Sequence, residues 1–323
     1  MITFLKSNKI KVLLVLFICF VFALNPQVYA NSCLNAISVW AIKILPVMFP
    51  FFVFTRIIVN LSENKPNFLD KFFNKAYNTP IGSFKTFFLS ALSGYPMGAK
   101  LICVQFEESK ITSDDAKKML SFCSISGPMF IVGTVGLAVL NSVKAGIVIL
   151  ISNLIACLIN GLIYRGKKTN YSNLNTFQIE KKEIVLSDIV YDSIISILMV
   201  GGFVVISFVM IDAIKNIGVL NLISNTISCV SKNSSLKHVV ESIICGIFEI
   251  TNGIISLSTC CLSLKLKTVI ASTLISFSGI CIMLQSISFL KIINMKFNEM
   301  LKQKLTQSII TLLISIILVF IVF

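Results

Sequence analysis

The sequence predicts an all-α polytopic membrane protein built as an inverted repeat, with two re-entrant helical hairpins and broken transmembrane helices. Three observations lead there. The chain is 56% hydrophobic and 13% charged, with a mean hydropathy of +0.91, about half the charge fraction of a soluble domain. Several of its long apolar runs are interrupted near their centres by Gly, Pro or a charged residue. The interruptions recur at a spacing of about 152 residues, as an internal repeat would.

Residues 1–31 hold Lys6, Lys9 and Lys11, an apolar run from Val12 to Leu24, and Val28-Tyr29-Ala30 before Asn31. This fits a cleaved signal peptide or a retained signal anchor. The retained helix is the preferred reading, and either way residue 31 lies outside. The next span, Cys33 to Val59, carries Pro46 and Pro50 among Phe49, Phe51, Phe52 and Phe54, which predicts a kinked crossing. Phe68 to Lys75 reads as an amphipathic helix on the membrane surface.

The apolar run Phe84–Phe106 could cross a bilayer, yet its centre is Ser93-Gly94-Tyr95-Pro96-Met97-Gly98. Pro96 lacks an N–H and clashes with the preceding turn, and the two glycines add freedom that must be frozen out. Charge decides between crossing and turning back. With Lys6, Lys9 and Lys11 inside, turning back keeps Arg165, Lys167, Lys168, Lys181 and Lys182 of the linker 165–183 in the cytoplasm; crossing would place all five outside, against the positive-inside rule. The arm Phe84–Ser93 is about 15 Å long as a helix, half of a roughly 30 Å hydrocarbon core. Residues 84–106 therefore form a re-entrant hairpin entered from the cytoplasm.

A loop from Glu107 to Lys118 follows, then spans at Met119–Leu140, interrupted by Ser126-Gly127-Pro128, and Val143–Tyr164. Beyond the linker come a span Ile184–Ile211, a weakly amphipathic stretch Val219–Val230, and an apolar run Val239–Leu262 interrupted by Glu249-Ile-Thr-Asn-Gly253. Treating residues 239–262 as a second hairpin favours the positive-inside count by two lysines. Two more spans follow, Thr268–Leu290 and Leu305–Phe323, with Lys291, Lys296, Lys302 and Lys304 between them. At the repeat spacing Ser126-Gly127 matches Ser278-Gly279, Gly98 falls near Gly253, and Pro50 meets Gly202. The halves are residues 32–164 and 184–323. One starts outside and the other inside, an arrangement common in secondary transporters, whose sites lie mid-bilayer between the repeats.

The candidate binding residues follow from the breaks. Pro96 suits the first turn of the second arm, with Ser93 or Tyr95 near its cap. The N–H groups of Met97, Gly98 and Ala99 then face a cavity with the positive end of the helix dipole behind them, as anion sites require. Lys100, one turn on, faces an anionic ligand, pairs with Glu249 or snorkels to the interface; a cation at that depth is costly without a role. Ser126 and Gly127 open a second half-helix or mark an ordinary proline kink. Ser278-Gly279 and Gln285 lack a proline, so a continuous helix is expected there. Glu249 is assigned to a coupling ion or proton, with Thr251 and Asn252 beside it as neutral hydrogen-bonding groups. Asp192 reads as intramembrane and Asp212 as interfacial.

Enzymatic signatures are missing. There is no GxGD to accompany Tyr191-Asp192, no GxSxG and no Gly-rich phosphate loop, and one His excludes HExxH. The ten cysteines form no CxxC or Cys/His cluster, so they read as packing residues. No catalytic residue, metal site or cofactor is expected. The basic balance, 28 Lys and Arg against 14 Asp and Glu, lies in loops between spans and points to the bilayer rather than nucleic acid.

Ser93-Gly-Tyr-Pro-Met-Gly-Ala-Lys100, Ser126-Gly-Pro-Met-Phe130 with Gly133 and Gly136, and Glu249-Ile-Thr-Asn-Gly253 together resemble the YlbJ-type (SpoVV) sporulation integral membrane proteins, part of the nucleoside-recognition (Gate) membrane proteins. Cys123-Ser124-Ile125 stands where that family leads one to expect more amide side chains. The resemblance implies an endospore-forming bacterium, a place in the outer forespore membrane, and transport of dipicolinate from the mother cell for cortex and core maturation. It also implies a fold similar to concentrative nucleoside transporters. The expected partners are a small-molecule anion and the lipid bilayer, with a homo-oligomer left open. The rival functions are a nucleoside or nucleobase transporter and a non-transporting scaffold for sporulation proteins.

Overall fold

The computed structural model describes residues 12, 16, 19–61, 68–167, 186–216, 218 and 234–323. Lys6, Lys9 and Lys11, most of the linker 165–183, and the stretch Val219–Val230 lie outside the described residues. Within them every regular element is helical: α1 (Pro26–Val39), α2 (Leu45–Leu61), α3 (Phe68–Tyr77), α4 (Ser83–Ser93), α5 (Met97–Glu107), α6 (Ser113–Cys123), α7 (Met129–Val139), α8 (Val143–Ile163), α9 (Leu186–Asn216), α10 (Ser234–Phe248), α11 (Ile250–Thr259), α12 (Leu264–Phe277), α13 (Gly279–Leu290) and α14 (Phe297–Val322). Helices α8, α9 and α14, and α12–α13 taken together through Ile293, are long and apolar enough to cross a membrane; α1–α2 makes a fifth if counted as one bent span.

The expected kink is present. α1 runs through a π-wound turn, Trp40–Ile44, into α2, and the axis bends by 51° between Pro26–Ile44 and Met48–Ile58. Pro46 lies at the bend, where its ring and missing N–H break the helical ladder. Val28-Tyr29-Ala30 is part of α1, and Tyr29 is buried against Phe22, Val209 and Ala213. α3 is the expected amphipathic helix. It buries Phe73 and Tyr77 against Phe84, Phe87 and Phe122 and leaves Phe68, Leu69 and Phe72 exposed.

α4 and α5 form a hairpin. Gln105 Nε2 donates to Thr86 Oγ1 at 2.7 Å across the arms, and a Cβ on Gly98 would lie 2.9 Å from Ser90 Oγ. Such pairings, symmetric about residues 94–96, require antiparallel arms. α10 and α11 form a second hairpin, with Ser242 and Ser256 hydroxyls 2.8 Å apart and Gly246 against Gly253. Its helix begins at Ser234 rather than Val239, and its interruption is confined to Glu249 instead of reaching Gly253.

Two boundaries differ from expectation. The segment read as a loop up to Lys118 is helical from Ser113, because Thr112 and Asp115 close a capping box: Asp115 N–H donates to Thr112 Oγ1 at 3.2 Å, and Thr112 N–H to Asp115 Oδ2. The span expected to be continuous through Ser278-Gly279 is broken there. Both residues take positive φ, 70° and 67°, and Ser278 N–H closes α12 on the carbonyls of Leu274 and Ile275. A left-handed cap ends a helix without any proline. In the first half the matching break unwinds Ser124–Gly127, after which α7 winds as a π-helix.

Contacts between elements define two poles. At one, Lys118 Nζ donates to the carbonyls of Asn78 (3.3 Å) and Lys167 (2.7 Å). Asn78 Nδ2 reaches Gly166 O (2.9 Å), Ser113 Oγ reaches Ile293 O (2.8 Å), and Lys117 pairs with Glu299 at 3.2 Å. Both ends of the first hairpin, residues 78–83 and 107–113, are therefore at this pole. The opposite pole gathers Leu140, Leu262, Leu264 and Phe323, with Lys265 over the Phe320 ring. The second hairpin returns there through Leu262.

Candidate functional site

The first hairpin's tip is wedged against the first broken helix. Gly94 has φ 77°, and a Cβ there would meet Gly127 N at 2.5 Å; one on Gly98 would lie 2.2 Å from Cys123 O. Only glycine permits this approach. Ser126 and Gly127 thus adjoin Gly94. Pro96 itself is the cap residue of α5 rather than its first helical residue, and no side chain among the described residues caps the helix. Ser93 does not serve: its hydroxyl donates back to Leu89 O at 2.6 Å. Met97 N–H is engaged by Gly94 O at 3.0 Å, so of the three expected free amides it is withdrawn. Those of Gly98 and Ala99 have no acceptor among the described residues.

Pro96, Met97 and Lys100 line a tight cleft with room for about one water molecule, completed by Phe52 of α2, Ser196 and Met199 of α9, and Gln285 and Phe289 of α13. Both halves of the chain contribute. Among the described residues Lys100 makes no ion pair or side-chain hydrogen bond, and the charges of Arg56 and Asp192 act on it. Arg56 Nη1 pairs with Asp192 and Nη2 reaches Ser196 Oγ at 3.5 Å. Asp192 is thus tied to α2.

The second tip is built differently. Glu249 caps α11 with its own carboxylate, Oε1 accepting from Thr251 N–H at 2.9 Å and Oε2 from Asn252 N–H at 2.6 Å. Thr251 and Asn252 supply backbone donors to it, and neither lines the cleft. Among the described residues Glu249 and Lys100 are not paired. This tip rests on the other break, with Gly279 against Phe248 O and Gly246 O.

Sequence reasoning missed Lys304, grouped with the lysines between spans. It is 2% exposed. Its ammonium donates to Tyr95 Oη (2.9 Å), Ser124 O and Gln307 Oε1 (3.1 Å) and lies 4.8 Å from the centre of the Tyr95 ring. Tyr95 Oη also donates to Ser124 O at 3.2 Å. Among the described residues no carboxylate pairs with Lys304. Tyr95 therefore points away from the cleft, onto a polar seam joining hairpin, break and α14. The signal was present: Gln303, Lys304, Gln307, Ser308, Thr311 and Ser315 form one buried stripe at helical spacing along α14. Among the described residues no His/Cys/Asp/Glu group could hold a metal ion.

Against curated proteins, the chain is similar to the "Sporulation integral membrane protein YlbJ" of Bacillus subtilis (strain 168), 25% identical over 337 positions that cover 94% of this chain and 82% of the relative. The resemblance to YlbJ-type proteins read from the sequence thus extends over nearly the whole chain. No family model matches, and no solved structure matches. With its apolar helices and this relative, the chain is a polytopic helical integral membrane protein.

Proposed function

We propose that this protein carries a small aromatic dicarboxylate, dipicolinate by its resemblance to YlbJ-type proteins, across the outer forespore membrane during sporulation. The observation that carries this reading is the contrast between the hairpin tips. At the second, a carboxylate of the chain itself sits on the helix N-terminus. At the first, α5 starts without a side-chain cap beside a cleft that also holds Lys100. A substrate carboxylate supplies there what Glu249 supplies in the other half: negative charge at a helix N-terminus. Phe52, Met199 and Phe289 give the cleft apolar walls; it has room for about one water molecule, so an aromatic ring enters only as the two halves part.

In this proposal the two halves form an inverted repeat similar in plan to concentrative nucleoside transporters, and both hairpins are re-entrant. The paired breaks, Ser124–Gly127 and Ser278-Gly279, support that plan, as do hairpins rooted at opposite poles. Alternating access would move one half against the other around the shared cleft. Glu249, held as a cap, serves this scheme by fixing the second tip; it carries a coupling proton only if its two amide bonds are given up.

Uptake of labelled dipicolinate into liposomes holding the purified protein tests the proposal. Saturable uptake that Lys100→Ala lowers by about tenfold or more, the loss of one charge-assisted contact, is expected. Equal uptake by protein-free liposomes, or competition by nucleosides and not by dipicolinate, overturns it.

A further inference from the structure

We infer that Arg56 is a second anion-binding residue of the cleft, that Asp192 occupies it until a substrate carboxylate displaces it, and that the cleft therefore selects dicarboxylates over monocarboxylates. The inference rests on the anion-transport reading and specifies its substrate class. Three elements each place a charged residue about one turn from a cleft-lining residue: Arg56 after Phe52 on α2, Asp192 before Ser196 on α9, and Lys100 after Met97 on α5. Ser196 both lines the cleft and bonds Arg56 Nη2, which puts the guanidinium at the cleft's edge. Among the described residues Arg56 and Asp192 are the charged groups that act on Lys100. Two cations against one carboxylate leave a positive surplus.

The guanidinium is incompletely used. Its Nε is buried with no hydrogen-bond partner among the described residues, and its side chain is 16% exposed while that of Asp192 is 53% exposed. Asp192 is thus the less enclosed partner of the pair, and Arg56 the more enclosed one. A guanidinium binds one carboxylate through paired N–H groups, so an incoming carboxylate can replace Asp192 and recruit Nε as well. The exchange swaps one carboxylate for another and leaves no buried charge bare, which avoids the penalty of stripping a partner from a buried ion. A ligand with two carboxylates satisfies Arg56 and Lys100 together; a ligand with one leaves a cation unanswered.

Titration calorimetry on the full chain in detergent, with dipicolinate and with picolinate, its monocarboxylate counterpart, tests this. The unaltered protein is expected to favour dipicolinate by tenfold or more. Arg56→Gln should weaken dipicolinate about tenfold and picolinate far less, collapsing the preference. Asp192→Asn, which removes the resident competitor, should tighten dipicolinate. If Arg56 and Asp192 form only a structural pair, Asp192→Asn weakens or leaves unchanged the affinity, and the reversed pair Arg56→Asp with Asp192→Arg binds normally; either result overturns the inference while leaving transport intact. Should Arg56→Gln fail to fold, Asp192→Asn alone decides by the direction of its effect. No dipicolinate binding by the unaltered protein overturns the transport reading itself.

Discussion

Lys304 is the residue whose environment is most demanding. A buried amine with no carboxylate beside it among the described residues is held by a phenol, a carbonyl and an amide, each bond contributing about 0.5–1.5 kcal/mol, and about 1.5–3 kcal/mol when the amine is charged. The Tyr95 ring adds a cation–π contact of roughly 0.5–2 kcal/mol. Removing only one partner leaves the cation under-solvated, so Tyr95→Phe should destabilise by about 1–3 kcal/mol. Lys304→Met removes the charge altogether, and Tyr95 Oη keeps its bond to Ser124 O; it should cost less than about 1 kcal/mol or stabilise. In the Lys304→Met background Tyr95→Phe should then cost less than it does alone. Thermal unfolding of the four proteins in one detergent reads this, and additive effects would contradict the network. Sequence reasoning singled out Lys100, which interrupts an apolar run. It passed over Lys304 because charge near the start of a span looks like a loop, and only the polar stripe along α14 distinguishes the two.

At the scale of elements, the hairpin and the broken helix are one unit. Their contact depends on backbone meeting backbone at Gly94–Gly127 and Gly98–Cys123. Gly98→Ala drives a methyl into a carbonyl that cannot move alone, at a cost of about 1–3 kcal/mol, and should part the tip from Ser124–Gly127. The expected result is a lowered unfolding temperature together with weakened dipicolinate binding; unchanged values for both would show that the two elements are not wedged. These elements were legible in the sequence wherever proline or glycine pairs interrupt an apolar run. The break at Ser278 was not, because a left-handed serine beside a glycine looks like ordinary helix until the chain is seen to turn. Glu249 illustrates the same limit: an acid in an apolar run announces itself, while its use as a cap depends on backbone direction.

For the molecule as a whole, the account depends on where the ends of the hairpins lie. Lysine counting placed the segment ending at Lys85, residues 107–118, the linker 165–183 and residues 291–304 on one side, and the contacts among Asn78, Ser113, Lys118, Gly166, Lys167 and Ile293 gather the described parts of those segments at one pole. Loop charge is legible from sequence because it reports on the membrane rather than on packing. The meeting of Phe52, Ser196 and Gln285 across three distant helices was not legible, because it depends on how the halves pack. The most direct measurement of the central claim is the labelling of single cysteines, in a cysteine-free background, by a membrane-impermeant maleimide in oriented vesicles. Cysteines at Ile81, Glu108 and Asn141 report the two ends of the first hairpin and the far end of the broken span. The account predicts that Ile81→Cys and Glu108→Cys react from one side and Asn141→Cys from the other. Ile81→Cys and Glu108→Cys reacting from opposite sides would make residues 84–106 a crossing helix and remove the cleft's mid-membrane tip.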